Sequence, residues 1–129
     1  MAQTIFMIID DDEDDKFFFK EATEGMLNSS ICLEANDGSD ALIQLRKSDQ
    51  LPDFIFLDIN MPRMDGKECL KELKKDAKLK SIPVIMYSTS FSKGSIEEFR
   101  TLGSSYCLLK PTNMNKLQEQ ILIAMEKCT

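Results

Sequence analysis

The chain contains no histidine among its 129 residues, and this absence removes several kinds of chemistry. A histidine general base and a Ser-His-Asp triad are excluded, and so are most zinc sites. Positive charge is also in short supply, since 16 lysines and arginines face 22 acidic residues and leave a formal net charge of −6. Because nucleic-acid binding relies on basic side chains that neutralise phosphates, we expect no nucleic-acid partner.

Long apolar stretches and paired cysteines are missing as well. No apolar run approaches the roughly 20 residues needed to cross a membrane, and Met1–Thr4 offers no basic region of a signal peptide. The cysteines form no CxxC pair, so we interpret them as reduced, mostly buried small side chains. These absences predict a cytoplasmic protein with no membrane contact. The cysteines are Cys32, Cys69, Cys107 and Cys128.

The length and the ordinary composition predict one domain over residues 1–129, because domains usually span about 100–200 residues. A chain of this size buries enough surface to fold without disulfides or metals. We therefore expect a single domain with no output domain attached.

Short apolar runs alternate along the chain with longer amphipathic segments. The runs are candidate strands, and the predicted helices between them carry apolar residues at helical spacing. Five such alternations predict an α/β fold, a doubly wound five-stranded parallel sheet with helices on both faces. The candidate strands are Thr4–Ile9, Ile31–Glu34, Asp53–Leu57, Pro83–Tyr87 and Tyr106–Leu109. The helix markers are Phe18, Phe19, Ala22 and Met26 within about Asp14–Asn28; Ala41, Leu42 and Leu45 within Ser39–Lys47; Leu70, Leu73 and Ala77; Ile96 and Phe99 before Gly103; and Leu117, Ile121, Ala124 and Met125.

Polar side chains follow four of the five predicted strands. Asp10 and Asp11 follow the first strand, Asp58 the third, Ser88 the fourth and Lys110 the fifth. In doubly wound sheets the ligand site lies outside the carboxyl ends of the strands, so these side chains are expected at one edge. Carboxylate oxygens suit Mg²⁺, while a hydroxyl and an ammonium group suit an anion beside the ion. The set predicts a magnesium-assisted phosphoryl site with a carboxylate acceptor.

The same segments carry a resemblance to a known family. The chain resembles the CheY-like receiver domain of two-component response regulators over essentially its whole length. The resemblance implies a flavodoxin-like sheet with the strand order 2-1-3-4-5. The matching segments are Ile8–Asp11, Phe56–Gly66, Tyr87–Ser90 and Lys110-Pro111.

The resemblance implies a role for each polar residue at the sheet edge. Asp58 is expected to be the phosphoacceptor. Asp11 and Asp58 are expected to ligate Mg²⁺ directly, together with the backbone carbonyl of Asn60, while Asp10 acts through water. Lys110 is expected to pair with the phosphoryl group.

Two further expectations concern the ends of the fourth and fifth strands. Ser88 is expected to hydrogen-bond the phosphoryl group. The Lys110–Pro111 peptide bond is expected to be cis, which costs only about 0.5–1 kcal/mol before proline.

The implied function is signalling rather than enzymatic turnover. The expected donor is a phosphohistidine on a sensor histidine kinase or a histidine phosphotransfer protein, and the expected output is contact with a downstream protein target. A chain without histidine receives the phosphoryl group and cannot serve as the phosphohistidine donor. The only reactions expected of the domain itself are self-phosphorylation from acyl phosphates and self-dephosphorylation, in a bacterial monomer or weak homodimer.

One position departs from the family pattern. The aromatic switch residue expected three positions before the lysine is Cys107 here, and Tyr106 lies one place earlier. Neighbouring strand residues point to opposite faces of a sheet. Either a bulge restores the aromatic position, or the protein signals without the usual ring movement, which is the interpretation that we favour.

Two alternative functions remain open. A receiver-fold adaptor would bind partners without being phosphorylated, but such degenerate receivers usually lack an acid or the lysine. A haloacid-dehalogenase-type phosphatase would use Asp10 and Asp12, with Ser88 and Lys110 as later motifs. That class leaves Asp58 unexplained, and it needs acidic metal ligands after the lysine, where the chain offers only Glu119 and Glu126 inside a predicted helix.

Overall fold

Strands and helices alternate along the chain in the order that the hydrophobic pattern predicts. The computed structural model describes residues 3–26 and 30–128. Within these residues the strands are β1 (Thr4–Ile9), β2 (Ser30–Ala35), β3 (Phe54–Asp58), β4 (Val84–Ser88) and β5 (Tyr106–Leu109). The helices are α1 (Glu13–Met26), α2 (Gly38–Lys47), α3 (Gly66–Lys75), α4 (Ser95–Leu102) and α5 (Met114–Lys127).

The strands form one parallel sheet in the order β2-β1-β3-β4-β5. The predicted fold class is therefore confirmed. All five residues of β3 and of β4 are buried, as expected for central strands covered on both faces, which read as continuous apolar runs. Because β1 and β3 are neighbours, the residues at their carboxyl ends lie side by side.

The core consists of two layers, one on each face of the sheet. Successive residues of β1 alternate between them, so that Met7 and Ile9 join one layer while Phe6 and Ile8 join the other. The first layer also takes in the buried faces of α2 and α3. The second contains buried residues of α1 and α5 and a group of ring contacts around Phe19, which packs on Phe56 with ring centroids 4.8 Å apart.

Helix α3 is shorter than the sequence predicts. Ala77, expected on its apolar stripe, lies beyond its last residue, Lys75, and is exposed in a turn. The Asp76 carbonyl accepts hydrogen bonds from Leu79 and Lys80, which closes this turn. The burial expected of Ala77 is provided by Leu79, which packs into the core.

Other predicted boundaries differ by at most one residue or lie outside the described residues. Strands β3 and β4 each begin and end one residue later than predicted, and β2 extends one residue further at both ends. Gly103 ends α4 in the left-handed region, with φ of 112°, as its position predicts. The predicted end of α1 at Asn28 lies outside the described residues. Only Cys69 is buried, while the three other cysteines are half-buried, which corrects the expectation of mostly buried thiols. No described helix is both long and apolar enough to span a bilayer.

Strand β5 pairs with β4 in a regular register. Met86 lies opposite Cys107, and Ile85 lies opposite Tyr106. No bulge interrupts this ladder, so Tyr106 packs against the layer that holds Phe19, while Cys107 packs on the other face. The register thus excludes a bulge that would move Tyr106 to the face of Cys107.

Candidate functional site

Three carboxylates meet at the carboxyl end of the two neighbouring strands. Asp10 directly follows β1 and Asp58 is the last residue of β3. One carboxylate oxygen from each of Asp10, Asp11 and Asp58 lies within 4.8 Å of the others. Asp10 is fully buried and Asp58 is 7% exposed, whereas Asp11 faces solvent. The sheet topology therefore produces the acid cluster that the sequence predicts.

Lys110 places its ammonium group among these acids. Its Nζ donates to Asp10 at 2.8 Å and to Asp15 at 2.9 Å, and lies 3.2 Å from Asp58 Oδ1. It also lies 5.2 Å from the centre of the Tyr87 ring. Burial by itself lowers the pKa of Lys110, but the hydrogen bonds to Asp10 and Asp15, together with the charges of Asp10 and Asp58, outweigh burial and raise it. Lys110 is therefore a fixed positive charge at neutral pH.

The acids are costly to ionise together. Burial raises the pKa of Asp58 to about 6, and the charge of Asp10 adds to this increase while Lys110 opposes it. Burial also raises the pKa of Asp10, against hydrogen bonds from Lys110 and the backbone of Asp12. One lysine therefore does not fully compensate the acids, and a divalent cation would supply the missing positive charge.

The loop after β3 is held at both ends. Asp65 caps α3 by accepting a hydrogen bond from Glu68, and the Gly66 amide donates to the Ile59 carbonyl at 2.8 Å. At the middle of the loop, Arg63 adopts a positive φ of 64° and pairs with the buried Asp37, the residue that caps α2. These contacts fix the backbone that follows Asp58.

Asn60 and Ser88 flank the cluster. Asn60 is exposed in the loop that follows β3, two residues after Asp58, and its carbonyl as a metal ligand stays a prediction. Ser88 is buried at the end of β4, where its hydroxyl donates to the Ser90 carbonyl at 2.9 Å. Its expected hydrogen bond to a phosphoryl group would have to replace this bond within the loop.

The expected cis bond before Pro111 is wrong. Lys110–Pro111 is trans, and no peptide bond in residues 3–26 and 30–128 is cis. The trans isomer is the more stable form of an X-Pro bond. With this bond trans, the Lys110 amide donates to the Ser88 carbonyl at 2.8 Å, and the Lys110 ammonium contacts Asp10, Asp15 and Asp58.

Two residues of the site were not identified from the sequence alone. Asp15 joins Lys110 from the first turn of α1, although nothing distinguished it within the six consecutive acids Asp10–Asp15. Asp37 was missed as the buried partner of Arg63. Its place before a predicted helix is a typical capping signal, but its ion pair depends on the path of a distant loop.

The donor set fits a magnesium ion. Mg²⁺ prefers oxygen ligands and usually takes only one or two carboxylates, with waters and phosphate oxygens completing its shell. Asp10, Asp11 and Asp58 supply closely spaced carboxylate oxygens, of which those of Asp11 are exposed to incoming ligands. A Cys- or His-rich transition-metal site is not what these donors form.

Asp58→Asn is expected to stabilise the metal-free protein. A carboxyl with a pKa of about 6 in the folded state, above its usual 3.8, destabilises the fold when it is charged. The increase in stability of Asp58→Asn over wild type is therefore complete above about pH 6 and disappears as the pH falls towards 4. We expect roughly 2–3 kcal/mol in the free energy of unfolding at pH 7.5, measured by urea denaturation.

The control for this change is Asp49→Asn, which removes the same charge from an exposed position. Added Mg²⁺ is expected to stabilise the wild type more than Asp58→Asn. Equal stability of wild type and Asp58→Asn across this pH range would contradict the burial cost assigned to the carboxylate.

Comparison with known proteins places the chain in a family. The family described as "Response regulator receiver domain" matches residues 6–122. Among curated proteins, chemotaxis protein CheY-3 of Vibrio cholerae is 36% identical over 115 residues, which cover 89% of this chain and 86% of the relative. Protein PilG of Pseudomonas aeruginosa is 34% identical over 113 residues, covering 86% of this chain and 79% of PilG.

Solved structures show the same fold. The phosphorylated cyanobacterial phytochrome response regulator RcpA superposes with a TM-score of 0.85 at 30% identity, covering 98% of this chain and 93% of RcpA. Chemotaxis protein CheY4 of Vibrio cholerae gives a TM-score of 0.84 at 25% identity, covering 99% of this chain and all of that chain, 100%. These likenesses extend over nearly the whole chain.

Proposed function

The chain belongs to the response regulator receiver domain family, and from this premise we propose that Asp58 accepts a phosphoryl group. The observation that carries the proposal is the meeting of Asp58 with Asp10, Asp11 and Lys110 at one edge of the sheet. Receiver domains are signalling domains rather than conventional enzymes, and we propose that residues 1–129 form one such domain.

In this mechanism the Asp58 carboxylate attacks phosphorus in line with the bond to the leaving group. A P–O bond to Asp58 forms as the bond from phosphorus to the donor nitrogen or oxygen breaks. The imidazole of a phosphohistidine donor leaves with a proton taken up from water, whereas the carboxylate of an acyl phosphate leaves as the anion. Ionised Asp58 is the reactive form, so the reaction is expected to slow as pH falls through about 6 in the metal-free state. Phosphoryl transfer is catalysed mainly by positioning and electrostatics, which the fixed charge of Lys110 supplies.

We propose that Asp11, Asp58 and the Asn60 carbonyl hold Mg²⁺, and that Asp10 acts through water. When bound, the ion neutralises charge on the acids and on the transferring phosphoryl group. Lys110 contributes one of its three N–H donors to a phosphoryl oxygen. Ser88 contributes its hydroxyl after leaving the Ser90 carbonyl, which links phosphorylation to the β4–α4 loop.

The partners that we propose follow from the direction of transfer. The donor is a sensor histidine kinase or a histidine phosphotransfer protein, since this chain has no histidine of its own to carry the group. We propose that this transfer takes place in the cytoplasm. The protein then signals in a two-component pathway by contact with a downstream protein.

A groove beside Lys110 supports contact with a downstream protein. It has a volume of about 730 Å³ and lies along β5, with lining residues from α4 and α5. Ile96 and Leu109, two of its lining residues, are 44% and 59% exposed. Ser88 and Lys110 lie where the β4–α4 and β5–α5 loops begin, and residues of both loops line this groove. Phosphorylation is therefore expected to change the shape of the groove and bias a two-state equilibrium.

The test is incubation with acetyl phosphate and Mg²⁺, followed by intact-mass measurement. Wild type is expected to gain the mass of one phosphoryl group and to lose it on standing, since the mixed anhydride hydrolyses. Asp58→Asn is expected to gain nothing, while the exposed-site control Asp49→Asn gains one group. Failure of the wild type to be labelled would favour a phosphorylation-independent adaptor, and equal labelling of Asp58→Asn would place the acceptor elsewhere.

A further inference from the structure

Asp15 is a fourth carboxylate at the site, and it has no role in the phosphoryl transfer proposed above. It lies in the first turn of α1, and its Oδ2 is 2.9 Å from Lys110 Nζ. Its side chain is 40% exposed, whereas the Lys110 side chain is 10% exposed and that of Asp10 is fully buried. The ammonium group is thus held between a buried acid and an acid at the edge of solvent.

The hydrogen-bond capacity of Lys110 shows which contact must change during transfer. An ammonium group has three N–H donors. Hydrogen bonds to Asp10 and Asp15 use two of them, and Asp58 lies 3.2 Å from Nζ as the third neighbour. A phosphoryl group that arrives on Asp58 brings further oxygens, which compete for the same three donors.

The three acids differ in how easily they release the ammonium. Release of Asp10 would leave a buried carboxylate without its cation, which is costly. Asp58 carries the new group and stays next to Lys110. Asp15 is half-exposed, so water can replace Lys110 as its partner at little cost. The contact between Asp15 and Lys110 is therefore the one that breaks during transfer.

Charge acts in the same direction. Asp15 brings a fourth negative charge to a site whose proposed substrate is an anion. Because unscreened like charges repel over the few ångströms that separate these groups, Asp15 opposes the approach of the donor as well as occupying Lys110.

We propose that Asp15 is a positioning residue that restrains Lys110 and slows phosphoryl transfer to Asp58. This inference rests on the proposed role of Asp58 as acceptor. The ion pair between Asp15 and Lys110 in the unphosphorylated protein would limit the rate of transfer. One member of the acidic run Asp10–Asp15 thereby has a specific function.

Asp15→Asn and Asp14→Asn form a matched pair of variants. Both remove one negative charge from the first turn of α1, but Asp14 is exposed whereas Asp15 is partly buried. Asp15→Glu keeps the charge and serves as the conservative variant. With acetyl phosphate below saturation and Mg²⁺ present, we expect Asp15→Asn to be labelled roughly three- to fivefold faster than wild type, the change that a half-exposed ion pair can produce. Asp14→Asn and Asp15→Glu are expected to stay within about twofold of wild type.

A second measurement uses the metal-free protein without any donor. In protein labelled with ¹⁵N at lysine Nζ, hydrogen exchange of the Lys110 ammonium reports how firmly its N–H groups are held. We expect Lys110 to exchange at least about threefold faster in Asp15→Asn than in wild type, with Asp14→Asn unchanged. A role of Asp15 in helix stability alone would leave this exchange the same in both variants.

Two labelling results would overturn the proposal. Equal acceleration by Asp14→Asn and Asp15→Asn would assign the effect to net charge, and slower labelling of Asp15→Asn would mean that Asp15 orients Lys110 for transfer. Failure of the wild type to be labelled would contradict the role of Asp58 instead. In that case unchanged Lys110 exchange in Asp15→Asn would still overturn the restraint by Asp15.

Discussion

Lys110→Met is expected to reduce the rate of phosphorylation by acetyl phosphate by about 10²- to 10³-fold, as loss of one fixed electrostatic donor does elsewhere. The side chain keeps much of its volume, so the core around Tyr87 stays filled while the charge is lost. Asp58 remains in place but no longer has the Lys110 ammonium beside it, so Mg²⁺ alone would offset the charge of the transferring group. Intact-mass time courses at saturating Mg²⁺ measure the rate.

The same variant is expected to be less stable above pH 7. Removal of the ammonium leaves the buried carboxylates of Asp10 and Asp58 facing each other, which costs roughly 3 kcal/mol while both are charged. Without Lys110 their pKa values rise further, so they are protonated as pH falls and the loss becomes smaller. Urea denaturation at pH 8 and pH 5 tests this sign.

Lys116→Met is the matched control. It replaces lysine by methionine in the same way, but at an exposed position on α5 away from the acids. It is expected to leave the rate and the stability near those of wild type. A Lys110→Met protein that is as stable at pH 8 as at pH 5, relative to wild type, would contradict the compensating role of the ammonium.

Gly66→Ala is expected to disrupt both the fold and the site. A Cβ atom at this position would lie 2.3 Å from the Asp58 carbonyl oxygen and 2.8 Å from the Ile59 Cα. Both atoms belong to the backbone, so either the start of α3 or the strand end that carries Asp58 must move. We expect a loss of about 1–3 kcal/mol or more in the free energy of unfolding.

The displacement should also be visible in the chemistry. Asp58 and the loop to Gly66 are joined by the hydrogen bond from the Gly66 amide to the Ile59 carbonyl, so a shift at residue 66 moves the proposed metal ligands. We expect at least about tenfold weaker Mg²⁺ binding, measured by titration, because metal sites tolerate little displacement of their ligands.

Gly25→Ala provides the comparison for this prediction. Gly25 lies near the end of α1, and an added Cβ would meet only the end of the flexible Gln118 side chain, at 2.8 Å. Alanine favours a helix over glycine by up to about 1 kcal/mol, so this change is expected to be neutral or stabilising. Unchanged stability and Mg²⁺ affinity in Gly66→Ala would show that the loop is looser than its contacts indicate.

The strands and the acid cluster were accessible from the sequence for a physical reason. Strands buried on both faces read as uninterrupted apolar runs, and each run ends where a polar residue reaches the sheet edge. Asp10, Asp58 and Lys110 could therefore be assigned to one edge without coordinates. The end of α3 was less accessible, because Ala77 continues the helical spacing of apolar residues while the turn after Lys75 depends on hydrogen bonds.

Side-chain pairing was not accessible in the same way. Asp12, Asp14 and Asp15 are alike in sequence, and only the packing of α1 on the sheet turns Asp15 towards Lys110, 95 residues away. The ion pair of Arg63 with Asp37 likewise depends on how the loop after β3 passes over the start of α2. The face on which Tyr106 lies is decided by the register of β5 on β4. From the sequence alone, both a bulge and a regular register were possible.

The sequence by itself determined the alternating elements, the family and the residues available at the sheet edge, since burial pattern and residue type are local properties. Its lack of histidine also set the direction of the proposed transfer, towards Asp58. Only the tertiary structure decided which acids share Lys110, that Ser88 is bound to Ser90 and that the bond before Pro111 is trans. These features depend on distances between segments remote in the chain, and packing of the helices on the sheet fixes those distances.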